Sequence, residues 1–170
     1  MDTPTSEAGS RPPRAPQVGS SQPAVSAPVA LDSPAVQSYL PILQGVITRM
    51  ASNSANCKAW CVALVSAILV VVADTLSPRY VWIAGVPTAL FCLLDAYYLG
   101  LESGFRDSYN VFIRKLHLGT ATVDELFIVA PSGRWAVAKA TAAALLSFSV
   151  LPFYGVLAVT IELARRLVLK

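Results

Sequence analysis

Apolar residues in this chain fall into two patterns: long runs with almost no charge, and stretches in which they recur at helical spacing. The runs are 59–76 (AWCVALVSAILVVVADTL), 80–100 (YVWIAGVPTALFCLLDAYYLG) and 140–163 (ATAAALLSFSVLPFYGVLAVTIEL). About 20 mostly apolar residues in a helix cover ~30 Å of hydrocarbon, and each run carries one charge: Asp74, Asp95 and Glu162. Three such runs leave too little polar sequence to wrap them as the core of a soluble domain. They predict an all-α integral membrane protein. The only link between the first two is the turn Leu76-Ser77-Pro78-Arg79, whose Leu76 closes the first run, so they form a transmembrane helical hairpin, with 59–76 and 80–100 as its arms. The third run is interrupted by Pro152, which removes a backbone donor and kinks a helix. A re-entrant path therefore competes with a crossing one.

Before the hairpin, Tyr39, Leu40, Leu43, Val46, Ile47 and Met50 recur at helical spacing. Ser38 is a candidate N-cap and Pro41 suits a first turn. No breaker follows, so an amphipathic helix over 39–58 continues into the first membrane arm. After the hairpin, Phe105, Tyr109, Phe112 and Leu116 form a second amphipathic helix over 102–118, with Glu102 and Arg106 an i,i+4 pair and Gly119 a stop. Thr122-Val-Asp-Glu125 has the form of a capping box opening a short helix over 122–130. Residues 1–34 hold seven of the chain's 12 prolines and no apolar run, which reads as a disordered Pro/Ser/Ala-rich tail. The remaining 35–170 form a single membrane domain.

Charge settles orientation and excludes some partners. Charged residues make up 14% of the chain, against about 25% in soluble domains. A net charge of +3 spread along membrane flanks does not point to nucleic acid. Arg49, Lys58, Arg106, Arg114, Lys115, Arg134 and Lys139 flank the hairpin on one side, and Arg79 alone lies at its tip. The positive-inside bias then puts the N-terminus and the 101–139 loop in the cytoplasm. Arg165, Arg166 and Lys170 fall outside if the third run crosses, which conflicts with that bias. No secretory signal is expected in 1–34, because it lacks an apolar core.

Candidate chemistry is sparse. No phosphate loop, nucleophile elbow or paired carboxylates occur, and no catalytic, cofactor or metal residues are expected. His117 at a helix end complements the dipole, while Cys57, Cys61 and Cys92 are small packing residues without a fourth ligand for zinc. Asp95 is the sharp signal, since a charge deep in a spanning helix needs a partner. Antiparallel geometry brings Lys58, Asn53 and Asn56 to its level, with Tyr98 on its own face, as a polar clamp. The alternative role for Asp95 is an ion or proton path. Ala59, Ala63 and Ala67, four apart, offer a small-residue helix-packing face.

The string containing Tyr39-Leu40, Leu43-Gln44, Ile47, Arg49-Met50-Ala51, Asn53-Ser54, Lys58 and Trp60, followed by Leu94-Asp95-Ala96-Tyr97-Tyr98-Leu99, Glu102, Phe105-Arg106 and Tyr109, resembles a group of small bacterial hairpin membrane proteins. These are similar in layout to the two-transmembrane SLATT effectors. The resemblance covers about 39–109 and implies a pore-forming role beside defence genes; the third apolar run departs from it. The expected function is a non-enzymatic, homo-oligomeric, membrane-perturbing effector of a defence or stress system whose partners are the lipid bilayer and a soluble signalling protein. The alternatives are a small ion or proton conductor using Asp95, and a membrane anchor for a soluble partner.

Overall fold

The computed structural model of the chain describes residues 27–75 and 80–168. They form four α-helices: α1 (Pro34–Thr75), α2 (Val81–His117), α3 (Arg134–Leu145) and α4 (Leu151–Val168). The only β structure among the described residues is one isolated bridge, Pro28 with Thr122. At 1.5 Å per residue, the 42 residues of α1 and 37 of α2 extend about 63 and 55 Å. Each amphipathic stretch is thus continuous with its apolar run, and both helices are long and apolar enough to cross a membrane. The residues joining them, 76–79 with Pro78 and Arg79, lie outside the described set, as do 1–26 of the expected tail.

α1 begins earlier than the pattern at Tyr39 suggests. Ser33 is the cap, its Oγ accepting the Val36 N–H at 3.3 Å, while Ser38 Oγ donates to the Pro34 carbonyl. Pro41 is therefore inside the helix. Residues 27–33 are not tail: Val29 N–H donates to the Ala121 carbonyl at 2.9 Å, strapping the chain across the far end of α2. That end holds a compact cluster. Val36, Tyr39 and Leu43 of α1 pack with Phe112 and Leu116 of α2 and with Ala121. Tyr39 meets Phe112 edge-on, centroids 5.0 Å apart, and its hydroxyl donates to the Ile128 carbonyl at 2.7 Å. Burial, and then the charge of Glu125, raise the Tyr39 pKa, so the phenol stays a donor.

The short helix expected over 122–130 is a single 3₁₀ turn, Val123–Glu125, followed by extended chain. Glu125 does reach back to the Thr122 N–H at 3.4 Å, as a capping box requires. Helix propagation then fails because Phe127 adopts φ 63°, in the left-handed region that costs a bulky side chain energy. Its ring lies edge-on to Tyr39, centroids 5.7 Å apart. Ser108 Oγ holds the extended segment by donating to the Ala130 carbonyl.

The third apolar run is two helices. α3 ends at Leu145, residues 146–150 turn, and Pro152 sits in the first turn of α4, where a missing N–H is harmless. The break thus precedes the proline. α3 runs back along α2, with Val137 beside Gly104 and Thr141 beside Gly100. α4 continues in that direction. Val150 and Tyr154 pack with Cys61, Val65 and Ala84, and the Arg165 guanidinium lies over Trp82, 5.9 Å from its ring centroid. The third run therefore travels to the end of α2 nearest the α1–α2 connection and does not double back.

Glycine makes the α2–α3 approach possible. A Cβ at Gly100 would come within 2.8 Å of the Thr141 backbone nitrogen, and one at Gly104 within 2.9 Å of Val137 Cγ2. Backbone cannot give way as a flexible side chain can. Gly100→Ala should cost about 1–3 kcal/mol, as overpacking does. Gly45→Ala should be neutral or stabilising by up to about 1 kcal/mol, since nothing lies within 4 Å of a Cβ there. Thermal unfolding of the two variants in detergent checks the contrast; equal midpoints would mean that α3 does not depend on Gly100.

At the strapped end, Glu125 is paired with Lys115. The Lys115 hydrogen bond holds the Glu125 pKa below its usual 4.5, outweighing the opposing effect of burial, with the Thr122 N–H adding to the lowering. A lowered folded-state pKa means the stabilisation is present above the ordinary glutamate range and is lost as pH falls through the lowered value. Both side chains are 31–43% exposed, so the effect should stay below about 1 kcal/mol. A loss of amide protection at Thr122 and Leu126 on acidification, measured relative to the intrinsic exchange rate at each pH and absent in Glu125→Gln, is the expected signature.

Candidate functional site

Asp95 is fully buried, at 0% exposure, midway along α2. An ionised carboxylate in such a place needs both charge compensation and hydrogen bonds. α1 supplies them from one face: Ser54 and Lys58 are one helical turn apart and both point at α2. Ser54 Oγ donates to Asp95 Oδ1 at 2.5 Å. Lys58 Nζ lies 2.5 Å from Oδ2 and donates to Ser54 Oγ at 3.4 Å. The Oδ2 contact is an ion pair, with no well-aligned hydrogen bond to that oxygen. Lys58 keeps 20% of its side chain exposed, so its ammonium reaches the surface while Asp95 does not.

The other residues expected around Asp95 are placed differently. Asn53 is half-buried, Asn56 is exposed and Tyr98 is half-buried. Among the described residues none of them bonds to Asp95, and Tyr98 instead packs against Tyr97, centroids 5.8 Å apart. Ser54 is the partner that sequence reasoning missed. Asparagines carry the more conspicuous donors, yet they sit one position before and two after Ser54, rotated away from α2.

Ala59, Ala63 and Ala67 are all exposed. They hold neither the hairpin nor α4 together. The residues that do are Cys61, Val65 and Val72 on α1, all nearly inaccessible. The close-approach pair within the chain is Gly100 and Gly104, which the alanine spacing did not anticipate.

Nothing near Asp95 makes a reactive constellation. The three cysteines are free thiols, and Asp74 lies at the opposite end of α1. Among the described residues no three His, Cys, Asp or Glu side chains are gathered closely enough to hold a metal ion. What the Ser54–Lys58–Asp95 arrangement does is hold two helices at one register. A slide of α1 by one turn, about 5.4 Å, would strand the carboxylate.

The unequal exposure of the ion pair gives an asymmetric expectation. Asp95→Asn keeps an acceptor for Ser54 and frees Lys58, which can snorkel to water, so it should cost about 1 kcal/mol. Lys58→Met leaves Asp95 buried without compensation and should cost more, up to about 3–5 kcal/mol. Asp95→Asn added to Lys58→Met should recover most of that loss. Melting the four proteins in detergent closes the cycle, and additive effects would show that the pair is not coupled.

No protein-family model, curated protein or solved structure matches this chain.

Proposed function

We propose that the chain is a non-enzymatic membrane protein that acts by assembling copies of itself in a bilayer, as a membrane-perturbing or pore-type effector. The observation that carries this reading is an inverted distribution of polarity. Over the half of the hairpin around α1 59–75 and α2 81–94, the outward residues are apolar except Ser66 and Asp74: Trp60, Val70, Val71, Trp82 and Val86 are 59–70% exposed. The carboxylate of Asp95 is inside, and Lys58 reaches it from the surface. A soluble helix pair would carry its charges outward and its apolar stripe inward. An apolar exterior suits lipid, which also explains why an ionisable residue is paired within the helices.

The lengths agree. A bilayer of ~30 Å takes about half of each long helix, leaving the strapped end with Tyr39, Phe112 and Leu116 in water. Trp60 and Tyr97, beside the Asp95 level, and Trp82, near the connection, suit the two interfaces. Arg165 beside Trp82 supports a third segment that crosses. Its positive charge on that side is halved, because Arg165 and Arg166 share the single carboxylate of Glu162. Positive-inside bias puts the strapped end in the cytoplasm of a bacterial cell. Three helices enclose no aqueous path, so a pore needs several copies, and the outward Ala59–Ala63–Ala67 face is the close-packing surface for them. The layout is similar to that of SLATT effectors and supports a defence or stress role with a soluble signalling partner.

The second reading, an ion or proton conductor through Asp95, is favoured by that residue's depth alone. Its charge is already compensated by Lys58 and one of its oxygens is bonded by Ser54, which favours the clamp.

Cysteine labelling on a Cys-less background should modify positions 49, 106 and 115 only from the cytoplasm, and positions 78 and 169 only from outside. Induced expression should collapse a membrane-potential dye signal. Ala63→Leu should reduce both crosslinked oligomer and depolarisation while leaving the monomer's melting unchanged. Depolarisation without oligomer, or lost on Asp95→Asn with oligomer intact, would favour the conductor.

A further inference from the structure

α3 turns one face outward along its whole length. Val137 and Thr141 hold it against Gly104 and Gly100 of α2. The opposite side, with Trp135, Lys139, Ala142 and Leu146 at i, i+4, i+7 and i+11, is exposed. The two ends of this stripe differ in chemistry. At its start Trp135 is 89% exposed, with Arg134 before it and Lys139 one turn on. At its end Leu146 and, in the turn that follows, Phe148 are 77% and 94% exposed. Neither Arg134 nor Lys139 has an ion-pair partner among the described residues. The acidic groups at that level of α2 are Glu102, which is taken by Arg106, and Asp107, which is exposed and pairs with neither cation.

The register sets this stripe against a bilayer. From Trp82, ~30 Å of hydrocarbon takes about 20 residues of α2 and ends near Glu102. Lys139 lies at the Glu102 level, midway between the Gly100–Thr141 and Gly104–Val137 contacts. Trp135 is then in the headgroup zone, while Leu146 and Phe148 lie in hydrocarbon. Helical side chains tilt towards the N-terminus, so Lys139 climbs from that boundary towards Trp135. From Trp135 to Leu146 the helix rises about 16 Å, the depth of one leaflet.

We infer that this face binds an anionic phospholipid of the leaflet on the strapped side. Its headgroup phosphate meets Lys139 and Arg134, Trp135 packs beside the headgroup, and an acyl chain lies along Ala142 towards Leu146. A zwitterionic lipid offers the same tail but brings an ammonium group to two unpaired cations. The placement rests on the membrane reading above; the preference for a negative headgroup rests on Arg134 and Lys139.

The test uses the full chain in phosphatidylcholine vesicles, with Trp60→Phe and Trp82→Phe so that Trp135 is the only tryptophan. Both replaced rings are exposed, at 65% and 70%. A fixed minor fraction of the lipid carries bromine on its acyl chains and either a phosphoglycerol or a phosphocholine headgroup. The phosphoglycerol lipid should be enriched about fivefold per cation and so quench Trp135 more strongly at equal fraction. Arg134→Gln with Lys139→Gln should bring the two lipids level without moving the melting temperature, because neither cation is paired. Inorganic phosphate at constant ionic strength should leave the difference intact. Equal quenching before that substitution, a difference that survives it, or one that free phosphate removes would each overturn the proposal. The protein with Trp82 as its only tryptophan keeps this failure apart from that of the membrane reading, since brominated lipid of either headgroup should quench it. Trp82 quenched by neither lipid would sink both readings; Trp82 quenched, with the two lipids equal at Trp135, would remove the lipid site alone.

Discussion

Everything in this fold that lies beyond two long helices depends on where Asp95 finds its countercharge. Apolar packing is almost indifferent to sliding: in lipid there is no hydrophobic drive between helices, only van der Waals fit and polar contacts. Val65 against Ala84 could be replaced by other aliphatic pairs one turn along. A carboxylate at 0% exposure tolerates no such substitution. The Lys58 ammonium and Ser54 hydroxyl, one turn apart on α1, occupy the only level at which both reach it. The register they set then decides which residues of α1 meet the far end of α2, where Tyr39 packs on Phe112. Two pins about 25–30 Å apart along a helix rise of 1.5 Å per residue define the hairpin more firmly than its connection needs to.

α3 and α4 depend on that register in turn. α4 packs in the furrow between the paired helices, touching Cys61 and Val65 of one and Ala84 of the other. α3 needs only α2, and Gly100 and Gly104 let it in to backbone contact. Between them the chain must shift from lying against one helix to lying against two. The turn at 146–150 makes that shift, and Pro152, in the first turn of α4, cannot hinder a helix that starts there.

The legible part of the sequence was the part governed by long-range averages. Apolar runs of 18 or more residues, a four-residue connection and a lone carboxylate with a lysine at the antiparallel level gave the hairpin and the Lys58–Asp95 pair. The illegible part was governed by single-residue detail. Ser54 was missed because helical serines commonly bond their own backbone, as Ser38 and Ser108 do here. The alanine spacing and the Gly100–Gly104 spacing obey the same rule, but a rule about small residues does not say which face turns inward. Rotation decides that, and Cys61 and Val65 share the inward face while Ala59 and Ala63 do not. Extended chain after Glu125 was hidden because Leu126–Val129 is as apolar as any helix face; Phe127 at φ 63° is tolerated only where Tyr39 packs against its ring.

Placing the polar clamp inside also constrains how such a molecule can act. A chain that pairs its buried carboxylate internally keeps the exposed charges of its apolar half at the two ends, with Lys58 at one and Asp74 and the Glu162–Arg165–Arg166 cluster at the other, and lateral contacts between them reduce to shape and small-residue approach. Such contacts are weak singly and cumulative over a helix 42 residues long. Assembly built on them responds steeply to the number of copies and to anything that reorients the hairpins together. In the proposed effector the end that lies in water is the one where the strap 27–33 and the 3₁₀ turn meet α1 and α2 through a few hydrogen bonds and one cluster, and a small binding energy there would tilt both helices at once. On that proposal, sensing at one end and perturbation at the other are one mechanical event, transmitted through helices whose register the Asp95 contacts hold.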